Sequence, residues 1–492
     1  MKILKYTLFI MLPLLVSMNS HAGKTNQSED VLQKAAAMNS KQHPLPATSY
    51  RKGHVVQHPI KNYVKSNGQG YVIDLPGSYP IATPTFYKGR LYVSGGFGSR
   101  QFYCFDAGTG QTIWAIDLDD DGPSSCVIED GIVVFNTESC TLFACRADNG
   151  QMLWSWWLGD PLTSAPAISG GRVFTTYPAN GQTSAQHEQG KRAPDASHVM
   201  GCFDLHTGKI LWQKWIDGDA ISAPVVAGPE VFITTFSGTL YAFNTKDGAI
   251  GSAIKARATS APTITDEKVY FTKRTDKDQG SVKESMAAGK RKQLQRVATF
   301  HEKRANYLDE RIQKESQLDK RSKNLDAGNG FSAAPQASGY QKAYKNVGQG
   351  SVSSMQSFQG SRILHYQKKN YTTMGDELIC TDVKSGKAIW KSKFKGDMKR
   401  SGGFLATPPL AVNGHIIVAT LDGAIEQYRA DTGQLERRYP LEAPIRFQPI
   451  VMNGRIFSGT QDGRVICIDT RDPKLTGWPS WGRDAAHTGL VQ

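Results

Sequence analysis

CFDAGTGQTIW, at residues Cys104 to Trp114, is the stretch of sequence that decides the fold, because it recurs along the chain. The strong copies share a turn glycine and a closing tryptophan, namely Gly110 and Trp114, Gly150 and Trp154, Gly208 and Trp212, and Gly386 and Trp390. Weaker copies start at Ala242, Gln427 and Cys467 and lack the tryptophan. A period of roughly forty residues predicts a repeat protein in which each repeat is one supersecondary unit.

Each repeat has the composition of two β-hairpins. Asp-x-x-Thr-Gly suits a tight turn, because Gly takes a positive φ and the Asp or Thr side chain caps the turn backbone. A second hairpin precedes each copy, as in Ser164-Ala-Pro166 and the residues that follow it. Two hairpins make a four-stranded antiparallel blade, so the sequence predicts an all-β, eight-bladed β-propeller, with seven blades as the alternative count. Tyr71 to Leu75 reads as a spare strand that completes the last blade and closes the ring.

The repeat resembles the tryptophan-docking motif A-x-D-x-x-T-G-x-x-x-W of the PQQ-like (quinoprotein-type) β-propeller family. Cys replaces the motif Ala in three of the four strong copies, and the resemblance covers about residues 68 to 490. Within that family the chain is similar to the propeller subunit of the outer-membrane β-barrel assembly machinery. The motif is specific for the fold and says little about activity, because one fold hosts many functions.

The chain divides into five segments by composition. Residues 1–22 read as a cleaved signal peptide without a lipid anchor, which predicts a periplasmic protein, and residues 23–66 read as a flexible leader. Blades occupy residues 67–273 and 346–492, the latter including the ring closure. Residues 274–345 are predicted to be a basic helical insertion, with a helix over 287–323 that either lies along the propeller edge or docks a partner.

The formal net charge of +14 is spread over the chain. In an exported protein a basic surface favours anionic lipid, polysaccharide or an acidic protein as partner, and no nucleic-acid-binding signature is present. No internal apolar run is long enough to span a bilayer.

Six of the seven cysteines fall into two groups, and Cys145 stands one residue out of the repeat register. Cys104, Cys202, Cys380 and Cys467 occupy the Ala position of the repeat and are predicted to be unpaired core residues, one per blade. Cys126 and Cys140 fall on the same face of one blade, where either a disulfide or two unpaired thiols would fit.

The turn between Cys126 and Cys140 is unusual, because Asn136 and Glu138 stand where most blades carry Gly and Asp. They are the candidate cofactor-binding residues, for a hard cation such as Ca²⁺ or a polar ligand. The alternative is a turn whose side chains cap its own backbone. The preceding Asp119 to Asp121 lacks the ligand spacing of an EF-hand loop and reads as solvated carboxylates.

Three functions remain open from the sequence. The resemblance favours a non-catalytic scaffold that binds cell-envelope proteins and has no cofactor. The alternative that the same family implies is a dehydrogenase that uses PQQ with Ca²⁺, although the chain lacks the adjacent cysteines of those enzymes and no catalytic residue can be assigned. The third is a small-ligand or glycan sensor, for which Trp154, Trp156 and Trp157 form an aromatic cluster. Trp478 and Trp481 are interpreted as ring-closing packing, and His487 as structural.

Overall fold

Eight β-sheets form a ring, which confirms the predicted eight-bladed β-propeller. The computed structural model describes residues 26–40, 45, 53–96, 98–137, 141–158, 165–178, 196, 198–218, 220–275, 283–304, 363–396, 405–443 and 445–491. The four strands of each blade pair antiparallel with their neighbours. Their order leads from the innermost strand, near the axis, to the outermost strand at the rim. The predicted signal peptide lies outside the described residues.

The elements before the first blade are α1 (Asn26–Met38), β1 (Val55–Gln57), β2 (Val64–Ser66) and β3 (Gly70–Asp74). Blades 1 and 2 contain β4 (Thr85–Tyr87), β5 (Arg90–Ser94), β6 (Gln101–Asp106), β7 (Thr112–Leu118), β8 (Val127–Glu129), β9 (Ile132–Asn136), β10 (Thr141–Arg146) and β11 (Met152–Trp157). Blades 3 and 4 contain β12 (Ala167–Ser169), β13 (Arg172–Pro178), β14 (His198–Asp204), β15 (Ile210–Ile216), β16 (Val225–Ala227), β17 (Glu230–Thr234), β18 (Thr239–Asn244) and β19 (Ile250–Lys255).

Blades 5 and 6 contain β20 (Thr263–Ile264), β21 (Lys268–Arg274), β22 (Lys283–Lys290), β23 (Gln293–Arg304), β24 (Ile363–Tyr366), β25 (Lys369–Met374), β26 (Glu377–Asp382) and β27 (Ala388–Lys393). Blades 7 and 8 contain β28 (Leu410–Val412), β29 (His415–Thr420), β30 (Ala424–Arg429), β31 (Leu435–Pro440), β32 (Ile450–Met452), β33 (Arg455–Gly459) and β34 (Arg464–Asp469). The last strand, β35 (Leu490–Val491), pairs with the innermost strand of blade 6.

The spare N-terminal strand closes the ring, as predicted. β3 pairs antiparallel with β34, with Tyr71 opposite Cys467, and so supplies the fourth strand of blade 8. β2 adds a fifth strand to that blade, and β1 adds a fifth strand to blade 1. The ring is therefore joined by residues from both ends of the chain, and no blade is left without its outer strand.

The prediction of a flexible leader over residues 23–66 is wrong for the part of this segment that the structure describes. α1 lies against β15 and β19, where Ala35 and Met38 are buried in the core of blades 3 and 4. After the helix, the Asn39 side chain accepts a hydrogen bond from Trp215 N at 2.8 Å and donates one to Trp215 O at 3.1 Å. A short apolar stripe at helical spacing, overlooked in the sequence because its surroundings are polar, explains the helix.

The prediction of a helical insertion over residues 274–345 is also wrong for the part of this segment that the structure describes. Residues 283–304 form β22 and β23, the two outer strands of blade 5 that the sequence did not reveal, and residues 305–323 of the expected helix lie outside the described residues. Met286, Ala287 and Leu294 are buried in blade contacts. The Ala- and Lys-rich composition favours a helix, but pairing with β21 offers this segment a core, and that tertiary gain overrides intrinsic propensity.

Candidate functional site

The recurring tryptophans join each blade to the next. Trp154 in blade 2 donates a hydrogen bond from Nε1 to Leu205 O in blade 3 at 2.8 Å, and its ring lies against the motif glycine Gly208. The other three tryptophans make the same bond to the carbonyl at the same repeat position of the following blade: Trp114 to Ala147 at 3.1 Å, Trp212 to Thr245 at 3.0 Å, and Trp390 to Ala430 at 3.2 Å. Gly150 likewise receives the ring of Trp114. These residues stabilise the ring and are structural.

Other residues take over where the tryptophan is missing. The Tyr71 hydroxyl of β3 donates to Ala107 O at 3.0 Å, which joins blade 8 to blade 1 beside Gly110. Arg437 stands at the tryptophan position of blade 7, opposite Gln427, and donates from Nη1 to Thr470 O at 3.2 Å. In blade 5 the ring of Phe300 lies against Gly386. The sequence missed Tyr71 and Arg437 because their side chains differ from tryptophan, although their register is the same. Phe300 was missed because it lies two residues beyond the tryptophan position of its strand, opposite Met286.

The turn chemistry of the motif is as predicted. Asp106 Oδ1 accepts hydrogen bonds from the backbone N of Thr109 at 2.8 Å and from its hydroxyl at 2.9 Å. Asp204 with Thr207, and Asp382 with Ser385, repeat this arrangement. These hydrogen bonds lower the pKa of Asp204 and Asp382, whose charged forms accept them. The motif carboxylates thus stabilise the hairpin turns in which they lie.

The C-terminal residues fill the centre of the ring. Residues 478–491, here called the C-terminal plug, run past the innermost strands and accept hydrogen bonds from their free edges. The donors belong to blades 1, 3, 4 and 8: Phe86 N to Pro479 O at 2.6 Å, Ile168 N to Ala485 O at 2.7 Å, Val226 N to Ala486 O at 2.9 Å, and Val451 N to Trp478 O at 2.8 Å. The axis of the propeller is therefore occupied by the chain itself.

Gln448 fixes the plug to the ring. Its Oε1 accepts from Trp478 Nε1 and from Gly482 N, both at 3.1 Å, while its Nε2 donates to Pro408 O and Pro409 O, both at 3.2 Å. Trp478 and Trp481 are buried, which agrees with the packing role expected for them. A small pocket beside them is lined by Ile363, Pro408, Gln448, Trp481 and His487 among others.

The predicted cofactor residues are only partly described. Asn136 is buried at the end of β9, where its backbone N contacts Ser124 Oγ at 3.3 Å, and Glu138 lies outside the described residues. The Thr137 hydroxyl donates to the carboxylate of Asp120, so that acidic residue supports the turn. Among the described residues, no group of three or more His, Cys, Asp or Glu side chains is placed to hold a metal ion. The ligand-binding role of Asn136 and Glu138 stays a prediction.

The cysteines at the repeat position are unpaired and buried, as predicted. Burial raises the pKa of Cys104, Cys202 and Cys467 to about 12 and that of Cys380 to about 11. A thiol with such a pKa stays protonated at neutral pH and is a poor nucleophile. These cysteines are therefore core residues.

The predicted Cys126–Cys140 bridge falls partly on residues that the structure leaves out. Cys126 is buried, which raises the pKa of its thiol to about 12, and Cys140 lies outside the described residues. The oxidation state of the pair stays a prediction.

The sequence did not single out two buried carboxylates, Asp217 in the connection after β15 between blades 3 and 4, and Glu426 in β30 of blade 7. Asp217 accepts from the hydroxyls of Thr235 at 2.8 Å and Thr239 at 2.5 Å and from Lys255 Nζ at 2.9 Å. Glu426 accepts from the Tyr428 hydroxyl at 2.5 Å and pairs with Arg438 at 3.0 Å. Asp217 is held by donors of blade 4 and Glu426 by donors of its own blade 7, and full hydrogen bonding of this kind is expected of structural groups.

The aromatic cluster proposed for sugar stacking is largely used in packing. Trp154 is buried between blades, and Trp156 donates from Nε1 to Gly208 O at 2.7 Å and packs against Phe203. Trp157 is partly exposed at the end of β11. Two of the three rings are thus committed to the seam between blades 2 and 3.

In the described part of the chain, no helix is long and apolar enough to cross a membrane.

Comparison with known proteins gives matches along most of the chain. A family model described as "Outer membrane protein assembly factor BamB" matches residues 77–297 and 346–487 in overlapping segments. The outer membrane protein assembly factor BamB of Yersinia pestis is 28% identical over 128 residues, which are 25% of this chain. That match spans 31% of the length of the Yersinia protein.

Two solved structures share the fold at low sequence identity. BamB from Moraxella catarrhalis superposes with a TM-score of 0.51 at 15% identity, covering 82% of this chain and 99% of that one. A quinohemoprotein alcohol dehydrogenase from Comamonas testosteroni gives a TM-score of 0.51 at 12% identity, covering 82% of this chain and 76% of that one. The propeller alone therefore does not distinguish a scaffold from an enzyme.

Proposed function

The chain belongs to the BamB family of PQQ-like β-propellers, and from this membership we propose that it is a non-catalytic protein-interaction scaffold of the cell envelope, related to outer-membrane assembly. The family match over 77–297 and 346–487 is the observation that carries the proposal. It includes sequence from all eight blades and does not rest on the shared fold alone.

The filled axis supports a scaffold over a cofactor enzyme. A cofactor pocket needs a concavity with several convergent polar groups. At the axis of this ring the C-terminal plug accepts hydrogen bonds from the inner strands, and the side-chain amide of Gln448 is hydrogen-bonded to the plug and to blade 7. The surfaces left for recognition are the rim and the two faces of the ring.

We place the protein in the periplasm. The signal-like sequence of residues 1–22 and the name of the family both point to the envelope.

The partner surface is proposed to include the face with Cys126, Asn136, Glu138 and Cys140, together with residues 305–345. The basic residues expected in a helical arm lie partly within blade 5, because β22 and β23 are strands of the ring. Deletion of residues 274–345 would remove half of that blade. The segment to be tested is therefore 305–345 alone.

Capture of partners by cross-linking in envelope preparations tests the proposal. The mature chain should retain a component of the outer-membrane assembly machinery. A variant with residues 305–345 replaced by a Gly/Ser linker should retain less, if this segment contributes. A variant with the surface substitution Leu153→Ser, where the side chain is 40% exposed on the rim of blade 2, serves as the control. If the mature chain retains no envelope protein, the scaffold proposal fails.

The alternative is a dehydrogenase with PQQ and Ca²⁺. Calorimetric titration of the mature protein with PQQ and Ca²⁺ decides between the two, because a ligand that binds only the folded state must also raise its stability. We expect neither heat nor thermal stabilisation. Tight binding accompanied by dye-linked oxidation of alcohols or sugars would overturn the scaffold proposal and direct attention to Asn136 and Glu138.

A further inference from the structure

The C-terminal plug contains a histidine whose surroundings suit neither of its protonation states. His487 is 2% exposed, and its ring meets the Trp481 ring edge-on, with 4.4 Å between centroids. Nδ1 lies 3.0 Å from Trp481 O, and Nε2 lies 2.9 Å from Pro166 O in blade 3. Both neighbours are carbonyl oxygens, which only accept hydrogen bonds.

A neutral imidazole carries one N–H, so it can donate to only one of these two carbonyls. The imidazolium can donate to both, but it must then hold its charge in a buried site. Burial is the larger effect and lowers the pKa of His487, although the two carbonyls and the Asp484 carboxylate act in the opposite direction. The closed plug therefore holds a neutral His487 with one unsatisfied contact.

The charged groups around His487 come from the plug. Asp484 is the one whose field acts on the ring among the described residues, and its carboxylate accepts hydrogen bonds from Thr488 N at 3.0 Å and from the Thr488 hydroxyl at 2.5 Å. Arg483 donates to Leu490 O within the same segment. Among the described residues of the blades, the Pro166 carbonyl and, across the pocket, the Gln448 amide face the ring, and neither group carries charge.

His487 binds a proton more tightly in the released plug than in the closed plug. In a released plug His487 is solvated and has its ordinary pKa of about 6.5, whereas in the closed plug its pKa is lower. Acid therefore favours the released form. The stability of the closed plug is complete above the ordinary pKa and falls as the pH drops through it.

We propose that acid releases residues 481–491 of the C-terminal plug from the propeller axis. These residues stay in place at neutral pH, where His487 is neutral, and they are freed when that histidine is protonated. Residues 478–480 stay attached, because Trp478 and Val451 exchange two backbone hydrogen bonds, at 2.8 and 3.0 Å. Release frees the edge amides of Ile168 and Val226, which donate to the plug carbonyls of Ala485 and Ala486 in the closed form. The inference does not depend on the identity of the envelope partner.

Hydrogen exchange of the full mature protein tests the plug directly, because the amides of Ile168 and Val226 donate to plug carbonyls. Exchange is compared at about pH 7.5 and about pH 5 after correction for intrinsic rates. Since the proton binds more tightly to His487 in the released form, we expect protection of these two amides to fall in acid. Amides that bond within a blade, such as that of Val231 opposite Phe243, should keep their protection.

Two variants separate protonation of His487 from general acid effects. His487→Gln cannot ionise, so it should lose the pH dependence. His415→Gln removes a different histidine, which pairs with Glu436 at 2.9 Å on the rim of blade 7, and should keep it. Acid release that persists in His487→Gln would overturn the proposal. So would wild-type protection that stays constant or rises in acid.

A second measurement covers the case in which His487→Gln fails to hold the plug at neutral pH. The ring signals of the histidines can be followed by NMR in the wild-type mature protein. The His487 signal should titrate below about pH 6.5, together with the loss of Ile168 and Val226 protection. A His487 pKa above that value would overturn the proposal.

Discussion

The docking of each tryptophan on the motif glycine of the next blade can be measured with two matched glycines of blade 3. Gly208 and Gly171 have nearly the same backbone conformation, with φ of 69° and 71°. A Cβ added at Gly208 would lie 2.7 Å from a ring atom of Trp154, whereas a Cβ added at Gly171 would have no heavy atom within 4 Å. Substitution by Ala therefore imposes the same backbone strain at both sites and a steric clash at one.

The magnitudes follow from these two terms. Left-handed backbone costs an Ala residue roughly 1 kcal/mol, which is the loss in free energy of unfolding expected for Gly171→Ala. Forcing a methyl group into a filled contact adds about 1–3 kcal/mol, so Gly208→Ala should lose about 2–4 kcal/mol. The difference between the variants is the quantity of interest, because the backbone term cancels.

Equilibrium urea unfolding, followed by circular dichroism and by tryptophan fluorescence, measures both variants. The midpoint should move with the denaturant dependence unchanged. In a double-mutant cycle, Trp154→Ala should relieve part of the Gly208→Ala loss, since the methyl group then has room. If Gly208→Ala and Gly171→Ala agree within about 0.5 kcal/mol, or if the two substitutions are additive, the docking argument is refuted.

Three further outcomes are expected. Asp217→Asn should lower the free energy of unfolding by about 2 kcal/mol in urea titrations, because Lys255 loses its charged partner while two hydroxyls keep a weaker acceptor; an unchanged midpoint would contradict this. Asn39→Ala removes both hydrogen bonds to the Trp215 backbone, so limited proteolysis should cleave α1 faster while the blades stay intact, and unchanged cleavage would argue against the contact. The six buried cysteines of the described residues should not react with a thiol reagent in the native protein, and their reaction would contradict the burial; the denatured protein should show seven thiols if Cys126 and Cys140 are unpaired and five if they are bridged.

The sequence predicted the architecture because the repeat specifies its own hairpins. Asp106 and Thr109 form the turn that their types suggest, and Trp114 lies opposite Cys104 across the hairpin. The spare strand containing Tyr71 could be predicted because a ring must pair its last edge. Local patterns of this kind are readable since their cause lies within a few residues.

What the sequence did not predict depends on distant partners. β22 and β23 have helix-favouring composition, and only their place beside β21 makes them strands. Arg437 substitutes for a tryptophan through its register and not through its chemistry. The sequence indicated the plug through its C-terminal tryptophans. Its path along the inner strands of blades 1, 3, 4 and 8 could not be predicted, because it depends on backbone hydrogen bonds that no side chain specifies. The roles of Asn136 and Glu138 remain predictions.

The closure of blade 8 by β3 has a consequence for how the protein folds. Tyr71 pairs with Cys467 near the opposite end of the chain, so β3, which is synthesised before the blades, cannot take its place until the last blade has been made. Pairings of such long sequence separation are slow to form, because the loop-closure entropy is lost before the contact is gained. Until then, blades 1 and 8 present open edges that attract other chains. A chain interrupted before residue 464 would keep both edges exposed, which makes every truncated product a substrate for aggregation or for proteolysis.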